Sequence, residues 1–556
     1  MDIRELTEGV SVAPQIAVND MAAIKAAGFA SVISNRPDGE EAGQPSFADI
    51  KAAAEAAGLQ ALHMPVVSGQ IAQADVAAFG AALTSLPGPV LAFCKSGTRA
   101  ATLWTRSQAG QRPVAELLAR TNAAGYDMGA TVAAMAETAP PALAEPDVRS
   151  DIVIVGAGSA GIAVAASLLA RDGGLDITII DPADVHYYQP GWTMVGGGVF
   201  DAAQTKRMMG PLIPDAVTWI KAGVAEFLPD ADAVVLGDGR VVGYKRLIVC
   251  PGLELHWDGI AGLKDTLGRN GVTSNYRYDL APYTWELVQG LNKGKAIFTQ
   301  PAMPIKCAGA PQKAMYLSGD AWFRRDVLKD IDIQFMNAGG VLFGVKDYVP
   351  ALMDYVAKYD VSLNFFHTLT AVDGAAKTAT FKVGTPGSDP KEVTVDFDMI
   401  HVCPPQRAPA FIRESALADA AGWVDVDQAT LRHKTYCNIW SLGDVMNAPN
   451  AKTMAAARKQ APVVAVNVLA DIAGKSAVGI YDGYGSCPLT VERGKIVLAE
   501  FGYGGALLPS FPEWLIDGTK PSRLAWALKA QALPQVYWHA MLKGREWMAG
   551  PEKAPL

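Results

Sequence analysis

Two cysteines carry the sharpest chemical signals in this 556-residue sequence. Cys307 follows the strand-like run KAIFTQ and opens a helical stretch, AGAPQKAMYL, with Lys306 and Lys313 on either side. Helix N-terminal amides and lysine ammoniums both stabilise a thiolate, so Cys307 should be more acidic than a free cysteine and act as a nucleophile. Cys94 closes the run VLAFC and is followed by KSGTR and a helix. The backbone amides of such a loop, together with Arg99, form an anion cradle that stabilises a second thiolate. Asp38, in a PDG turn, is available to that loop as an acid, although turn chemistry explains it equally well. Cys487, in GSCPLT, lies far downstream and can meet Cys307 only in three dimensions.

A third constellation points to a dinucleotide. In DIVIVGAGSAGIAVAASLLA, Gly156, Gly158 and Gly161 fall where a strand turns directly into a helix opened by Ser159 and Ala160. The first glycine permits the turn, the second lets the backbone approach a pyrophosphate and the third packs helix on strand. The next strand, DITIID, ends on Asp181, where a carboxylate can accept hydrogen bonds from ribose hydroxyls. Far downstream, TYCNIWSLGDVMNAP ends a strand on Gly443-Asp444 with Thr435 upstream. That matches the second FAD signature of two-dinucleotide flavoproteins, whose aspartate bonds the ribityl chain, so the expected cofactor is FAD.

The elements that must hold these residues alternate strand and helix throughout, which gives an α/β fold class. The expected organisation is an α/β domain over 1–135 and a Pro- and Ala-rich linker over 136–150. A FAD-binding domain over 151–293 and 391–510 follows, interrupted by a second Rossmann-like domain over 294–390. A distinct segment, 511–556, carries Trp514, Trp526, Trp538 and Trp547 among Lys529, Lys543 and Arg545 and is broken by Pro521 and Pro534. It reads as an interrupted amphipathic helix pair able to lie in a membrane interface, with capping of the core or a dimer contact as the alternative. No apolar run reaches the ~18 to 20 residues of a spanning helix. The start MDIRELTEGVSVAPQ lacks the pattern of a cleaved signal, so a cytoplasmic location is expected. A net charge of −8 without a basic stripe argues against nucleic acid. The six cysteines form no CxxC pair and His401 has no partner at metal spacing, so no metal is expected. Cys250, Cys403 and Cys437 read as packing residues, with Cys250 and Cys403 near the cofactor as the alternative. In the middle domain, TQPAMPIKCAGAP and MNAGGVLFGV put proline, lysine and cysteine where phosphate-cradling glycines belong, so NADH is not the expected partner.

The segments HYYQPGWTMVGGG, MPIKCAGAPQKAMYLS, AAGWVDVD, GDVMNAPNAKT and YDGYGSCPLTVERGKIVLAEF resemble the sulfide:quinone oxidoreductases, over about Asp151 to the C-terminus. The resemblance implies that Cys307 and Cys487 are a catalytic pair beside FAD, and that Ser159, Asp181, Gln189, Asp444 and Lys452 contact the cofactor. Thr453 joins them, and Val224 meets the adenine end. It further implies that sulfide attacks a Cys307-Cys487 disulfide or sulfur-bridged form, leaving a persulfide on one cysteine and a thiolate on the other. Electrons then pass through FAD to a quinone. Sulfur would leave on a small thiol or sulfite, with the protein peripheral on the inner face of the cell membrane and a homo-oligomer possible. The N-terminal segment is similar to phosphatase-like sulfurtransferase domains, through CKSGTR and SNRPDGEE. Phe93 stands where a phosphatase normally carries histidine, which favours sulfur carriage by Cys94 over phosphate hydrolysis. The alternative is a soluble NAD(P)H-dependent persulfide or disulfide reductase with a phosphatase-like regulatory module.

Overall fold

A computed structural model of the protein describes residues 2–108, 112, 114–129, 131 and 146–553. It divides into two compact units, Met1–Ala144 and Glu145–Leu556. Of the expected linker, residues 136–145 lie outside the described residues.

In the first unit, neighbouring strands run in the order Arg4–Thr7, Val10–Ala13, Val90–Phe93, Ser31–Ser34 and Gln60–His63. The last four are parallel. Parallel strands are covered on both faces, so they read as continuous apolar runs, and adjacent residues enter opposite cores. Ile33 joins a cluster with Phe79 and Trp104, while Val32 joins one with Ile24, Ile50 and Phe93. Cys94 therefore leaves the centre of the sheet, just ahead of the helix Thr98–Ser107.

The second unit contains two parallel-type sheets. The first is centred on Val148–Val155, flanked by Ile177–Ile180 and Val241–Val249, with Ile439–Ser441 pairing beyond the latter. Helices Ser159–Arg171 and Met454–Ile472 pack on each other over it. The second sheet runs Val272–Thr273, Met399–His401, Gly294–Gln300, Ile331–Asn337, Val361–Phe365, all parallel. Strands just outside 294–390, on both sides, thus pair in it. The hairpin Gly485–Glu492 with Lys495–Phe501 packs on the helix Ala310–Arg324. That packing brings Cys487 to the start of the helix.

The C-terminal segment departs from the sequence expectation. Helices Arg523–Ala527 and Leu533–His539 are joined by a π-helical turn, Leu528–Ala532, so the chain stays helical. Pro534 sits in the first turn of the last helix, where a missing N–H costs nothing, and does not break the run. Trp538 is buried, whereas Trp514 and Trp547 are 84% and 62% exposed. No helix among the described residues is long and apolar enough to cross a membrane.

Candidate functional site

The glycine loop after Val155 has the geometry its sequence requires. Gly156 has φ 104°, and a Cβ there would lie 2.6 Å from the Cys250 carbonyl oxygen. At Gly161 a Cβ would stand 1.8 Å from the Gly156 carbonyl oxygen, so the helix presses directly on the turn. Around Gly158 there is open space, on the side where the amides at the start of Ser159–Arg171 are free to hold phosphate. Asp181 closes the neighbouring strand and accepts the Ala157 amide at 2.7 Å. Cys250 is buried against this turn, and burial pushes its thiol far up, which leaves it a packing residue.

A cavity of 340 Å³ extends from this loop across the unit. Gly158, Ser159, Ala160, Gln189, Gly443, Asp444, Lys452 and Thr453 line it, as do Lys306, Cys307 and Lys313. Val224 opens the strand Val224–Leu228 at the edge of the sheet. The cavity walls carry buried polar atoms without protein partners: Trp192 Nε1, Thr193 Oγ1 and both amide atoms of Asn275. Buried polar atoms are normally paired, so these suit a polar, ring-bearing ligand such as FAD. Burial raises the Asp444 carboxyl while Lys306 and Lys452 oppose the shift. Lys452 spans the Asp444 and Met446 carbonyls at 2.8 and 2.7 Å, and burial lowers it to about 8. Thr453 caps the helix Met454–Ile472 through the Ala456 amide.

Cys307 lines this cavity and its sulfur stands 4.0 Å from that of Cys487, which is buried behind it, both as free cysteines. A bond at ~2.05 Å needs closure by about 2 Å, and a single bridging sulfur needs less. Cys307 has φ 51°, a strained region worth ~1 to 3 kcal/mol. Its N–H donates to the Lys452 carbonyl at 2.8 Å and its carbonyl accepts from Ala310 at 2.7 Å, which holds the conformation. Lys313 Nζ lies 3.0 Å from its sulfur. The Cys487 thiol and then the Lys313 ammonium hold Cys307 well below the ordinary thiol value, against burial. The Cys307 charge and burial push Cys487 well above it. The pair is therefore asymmetric, with Cys307 the more acidic of the two.

Lys529 is the main correction to the sequence reading. The π turn directs it inward, where it is 4% exposed, lines the cavity and donates to the Pro190 carbonyl at 3.2 Å. Burial and the nearby Lys313 lower it to about 7. It adds positive charge to the cysteines instead of facing a membrane, whereas Lys543 and Arg545 remain exposed. Cys403 is buried beside Tyr276, Ile305 and Cys307, and burial pushes it up to about 12. Cys437 is exposed, contrary to expectation. His401 is a buried acceptor for the Asn275 amide at 2.9 Å. Trp192, Thr193, Asn275 and Lys529 were not legible as site residues, since no motif marks a side chain that acts only through its position around a cavity.

In the first unit, Cys94 Sγ accepts the Gly97 N–H at 3.2 Å. Gly97 has φ 87°, and a Cβ there would strike the Tyr126 hydroxyl at 2.0 Å. Arg99 is buried and forms a two-pronged pair with Glu40 at 2.8 and 2.7 Å. That contact, with Arg36 adding to it, lowers the Glu40 carboxyl to about 2. Asp38 is exposed and its Oδ1 accepts the Phe47 amide at 2.7 Å.

Comparison with known proteins places both units. The pyridine nucleotide-disulphide oxidoreductase family matches residues 150–282, and the phosphatase-like domain of beta-lactamase hydrolase-like protein matches residues 2–111. The mitochondrial sulfide:quinone oxidoreductase of Dictyostelium discoideum is 42% identical over 398 residues, 71% of this chain and 86% of that protein. The beta-lactamase hydrolase-like protein of Agrobacterium fabrum is 42% identical over 104 residues, 19% of this chain and 24% of that one. Among solved structures, the sulfide:quinone oxidoreductase of Aquifex aeolicus shares the fold with a TM-score of 0.58 at 18% identity, over 71% of this chain and 92% of that chain.

Proposed function

The chain belongs to the sulfide:quinone oxidoreductase family and oxidises sulfide with a quinone as acceptor; from that premise we propose that Cys307 and Cys487 carry the sulfur chemistry beside FAD. The observation that supports this most is the asymmetric pair 4.0 Å apart, on a cavity that reaches back to the glycine loop. Hydrosulfide adds to one sulfur of the oxidised Cys307-Cys487 bridge, the bridge bond breaks, one cysteine becomes a persulfide and the other leaves as a thiolate. Lys313, with Lys529 behind it, offsets the negative charge that arrives and the charge that leaves. FAD, when bound, supplies two-electron acceptance from thiolate sulfur and delivery to the quinone. Gly156, Gly158, Ser159, Ala160 and Gly161 would hold its pyrophosphate and Asp181 its ribose. Val224 would meet the adenine end, and Gln189, Gly443, Asp444, Lys452 and Thr453 would hold the ribityl and ring end.

The persulfide sulfur leaves on a small thiol or sulfite. Quinone enters from a membrane to which the protein binds peripherally, on the inner face of the cell membrane, through the exposed Trp514, Leu515, Leu524 and Trp547. The test is anaerobic: sulfide should bleach the flavin, a quinone should restore it and NADH should do neither. Rapid bleaching by NADH but not by sulfide would refute the assignment.

Lys313→Met removes the ammonium 3.0 Å from Cys307. The Cys307 value then rises, and because the thiolate reacts, the acid limb of the pH profile moves to higher pH. The expected loss in sulfide bleaching is on the order of a hundredfold near neutrality, recovering as pH increases. An unshifted profile contradicts the thiolate role.

For the first unit we propose that Cys94 accepts sulfane sulfur, its sulfur facing the Gly97 amide and the Arg99 charge. Cys94→Ser should abolish sulfur transfer from thiosulfate or a persulfide donor while sulfide bleaching of the flavin continues. Unchanged transfer, or hydrolysis of a phosphate monoester by the parent protein, would refute it.

A further inference from the structure

Reducing a quinone to a quinol takes two protons as well as two electrons, and neither Cys307 nor Cys487 supplies them. Of the two carboxylates that line the cavity among the described residues, Asp444 is assigned to FAD and Glu500 is used neither by the cofactor nor by the sulfur chemistry. Glu500 lies in the strand Lys495–Phe501 directly opposite Ser486, the residue before Cys487. It is 5% exposed, yet it lines the cavity. Its Oε1 accepts the hydroxyls of Tyr484 and Ser510, each at 2.5 Å, and its Oε2 accepts the Ser510 amide at 3.1 Å. Among the described residues no lysine or arginine forms an ion pair with it.

A buried carboxylate without a counter-ion is costly, and the strand does not need one there. The Tyr348 hydroxyl already bonds both the amide and the carbonyl of Glu500, at 3.0 and 2.9 Å. The groups around the carboxylate are Tyr348, Tyr484 and Ser510. Beyond them, Arg458 acts on Tyr484, and Lys459 stands over the Tyr484 ring at 5.4 Å. Ser510 is half-buried, next to the exposed Pro509, so it connects the carboxylate to the outside. The Tyr484 and Ser510 hydroxyl oxygens are themselves 3.1 Å apart, close enough for one to donate to the other when it is not donating to Glu500. Pro488, Leu498, Phe511 and Leu528 form the apolar lining beside it, a surface that suits a quinone ring.

We propose that Glu500 is the proton donor for quinone reduction, refilled from solvent through Ser510. The step rests on the quinone acceptor argued above. Two electrons come from sulfide; the Glu500 carboxylate takes a proton from solvent through Ser510 and gives it to one quinone oxygen, then takes and gives a second in the same way to the other oxygen, ending as the carboxylate it began.

The experiment separates the half-reactions in the full-length holoenzyme, with ubiquinone-1 as the probe. In Glu500→Gln, flavin content and bleaching by sulfide should match the parent, while reoxidation by quinone slows on the order of a hundredfold. The dependence of reoxidation on pH should flatten, and Glu500→Asp should restore part of the rate. Parent-like reoxidation across the pH range overturns the proposal, and so does a parallel fall in flavin content, sulfide bleaching and reoxidation, which is what a merely structural role gives. If Glu500→Gln does not fold, Ser510→Ala carries the test: several-fold slower reoxidation with unchanged bleaching supports the route, and an unchanged rate overturns it. A parent enzyme that sulfide bleaches and quinone fails to reoxidise would refute the acceptor itself, a result distinct from any of these.

Discussion

The double variant Cys307→Ser, Cys487→Ser binds flavin but is not bleached by sulfide, with the rate down by on the order of 10⁴ or more. A serine hydroxyl is not ionised near neutral pH and forms no bond to sulfur that a hydrosulfide can open. The bridge that sulfide attacks therefore cannot exist. Flavin should stay, because the groups that fit its phosphate and ribose ends belong to other strands, at Gly156–Gly161, Asp181 and Asp444. The single variants should differ. Cys307→Ser removes the sulfur that Lys313 holds as a thiolate, and Cys487→Ser removes a thiol embedded among Leu489, Val491 and Val497. The second puts a hydroxyl in an apolar cluster, at a cost of ~1 to 3 kcal/mol in stability, so Cys487→Ala serves as its control. Stopped-flow absorbance at the flavin band, with flavin content measured after denaturation, reads both effects. Full bleaching of the double variant would remove the cysteines from the mechanism.

Gly161→Ala yields protein almost devoid of flavin, and its thermal stability falls with it. The added methyl would sit 1.8 Å from the Gly156 carbonyl oxygen and 3.2 Å from the Cys250 sulfur. Neither neighbour can retreat. The carbonyl belongs to a turn fixed by the parallel pairing of Val148–Val155 with Val241–Val249, and the sulfur is buried in the same core. Overpacking of this kind costs ~1 to 3 kcal/mol even where side chains can yield, and here backbone must move. The movement tilts the helix Ser159–Arg171 away from the turn and with it the amides that face the phosphates. Gly158→Ala is the comparison that isolates the cofactor. Nothing lies within 4 Å of a Cβ there, so the apoprotein should melt like the parent, while the methyl intrudes where the pyrophosphate approaches. Flavin content falls in both variants, and stability without ligand falls only in Gly161→Ala. Stoichiometric flavin in Gly161→Ala would mean the helix does not rest on the turn as described.

The sequence by itself determined the parts of this protein whose chemistry is local. The glycine turn, the aspartate that follows it and the Cys94 loop are each a strand, a few loop residues and a helix start, so spacing alone carries the geometry. The α/β class was legible for the same reason, since apolar runs and Ala-rich stretches alternate over short distances. The tertiary structure decided what depends on residues far apart in the chain. Resemblance paired Cys307 with Cys487; packing of a hairpin on a helix sets their 4.0 Å separation and which of them is the more acidic. Lys529 read as an interface cation because an amphipathic pattern records charge without direction, and one π turn rotates it to the cysteines. Glu500 gave no signal at all: a lone carboxylate in a strand acquires meaning only from the cavity and the two hydroxyls around it.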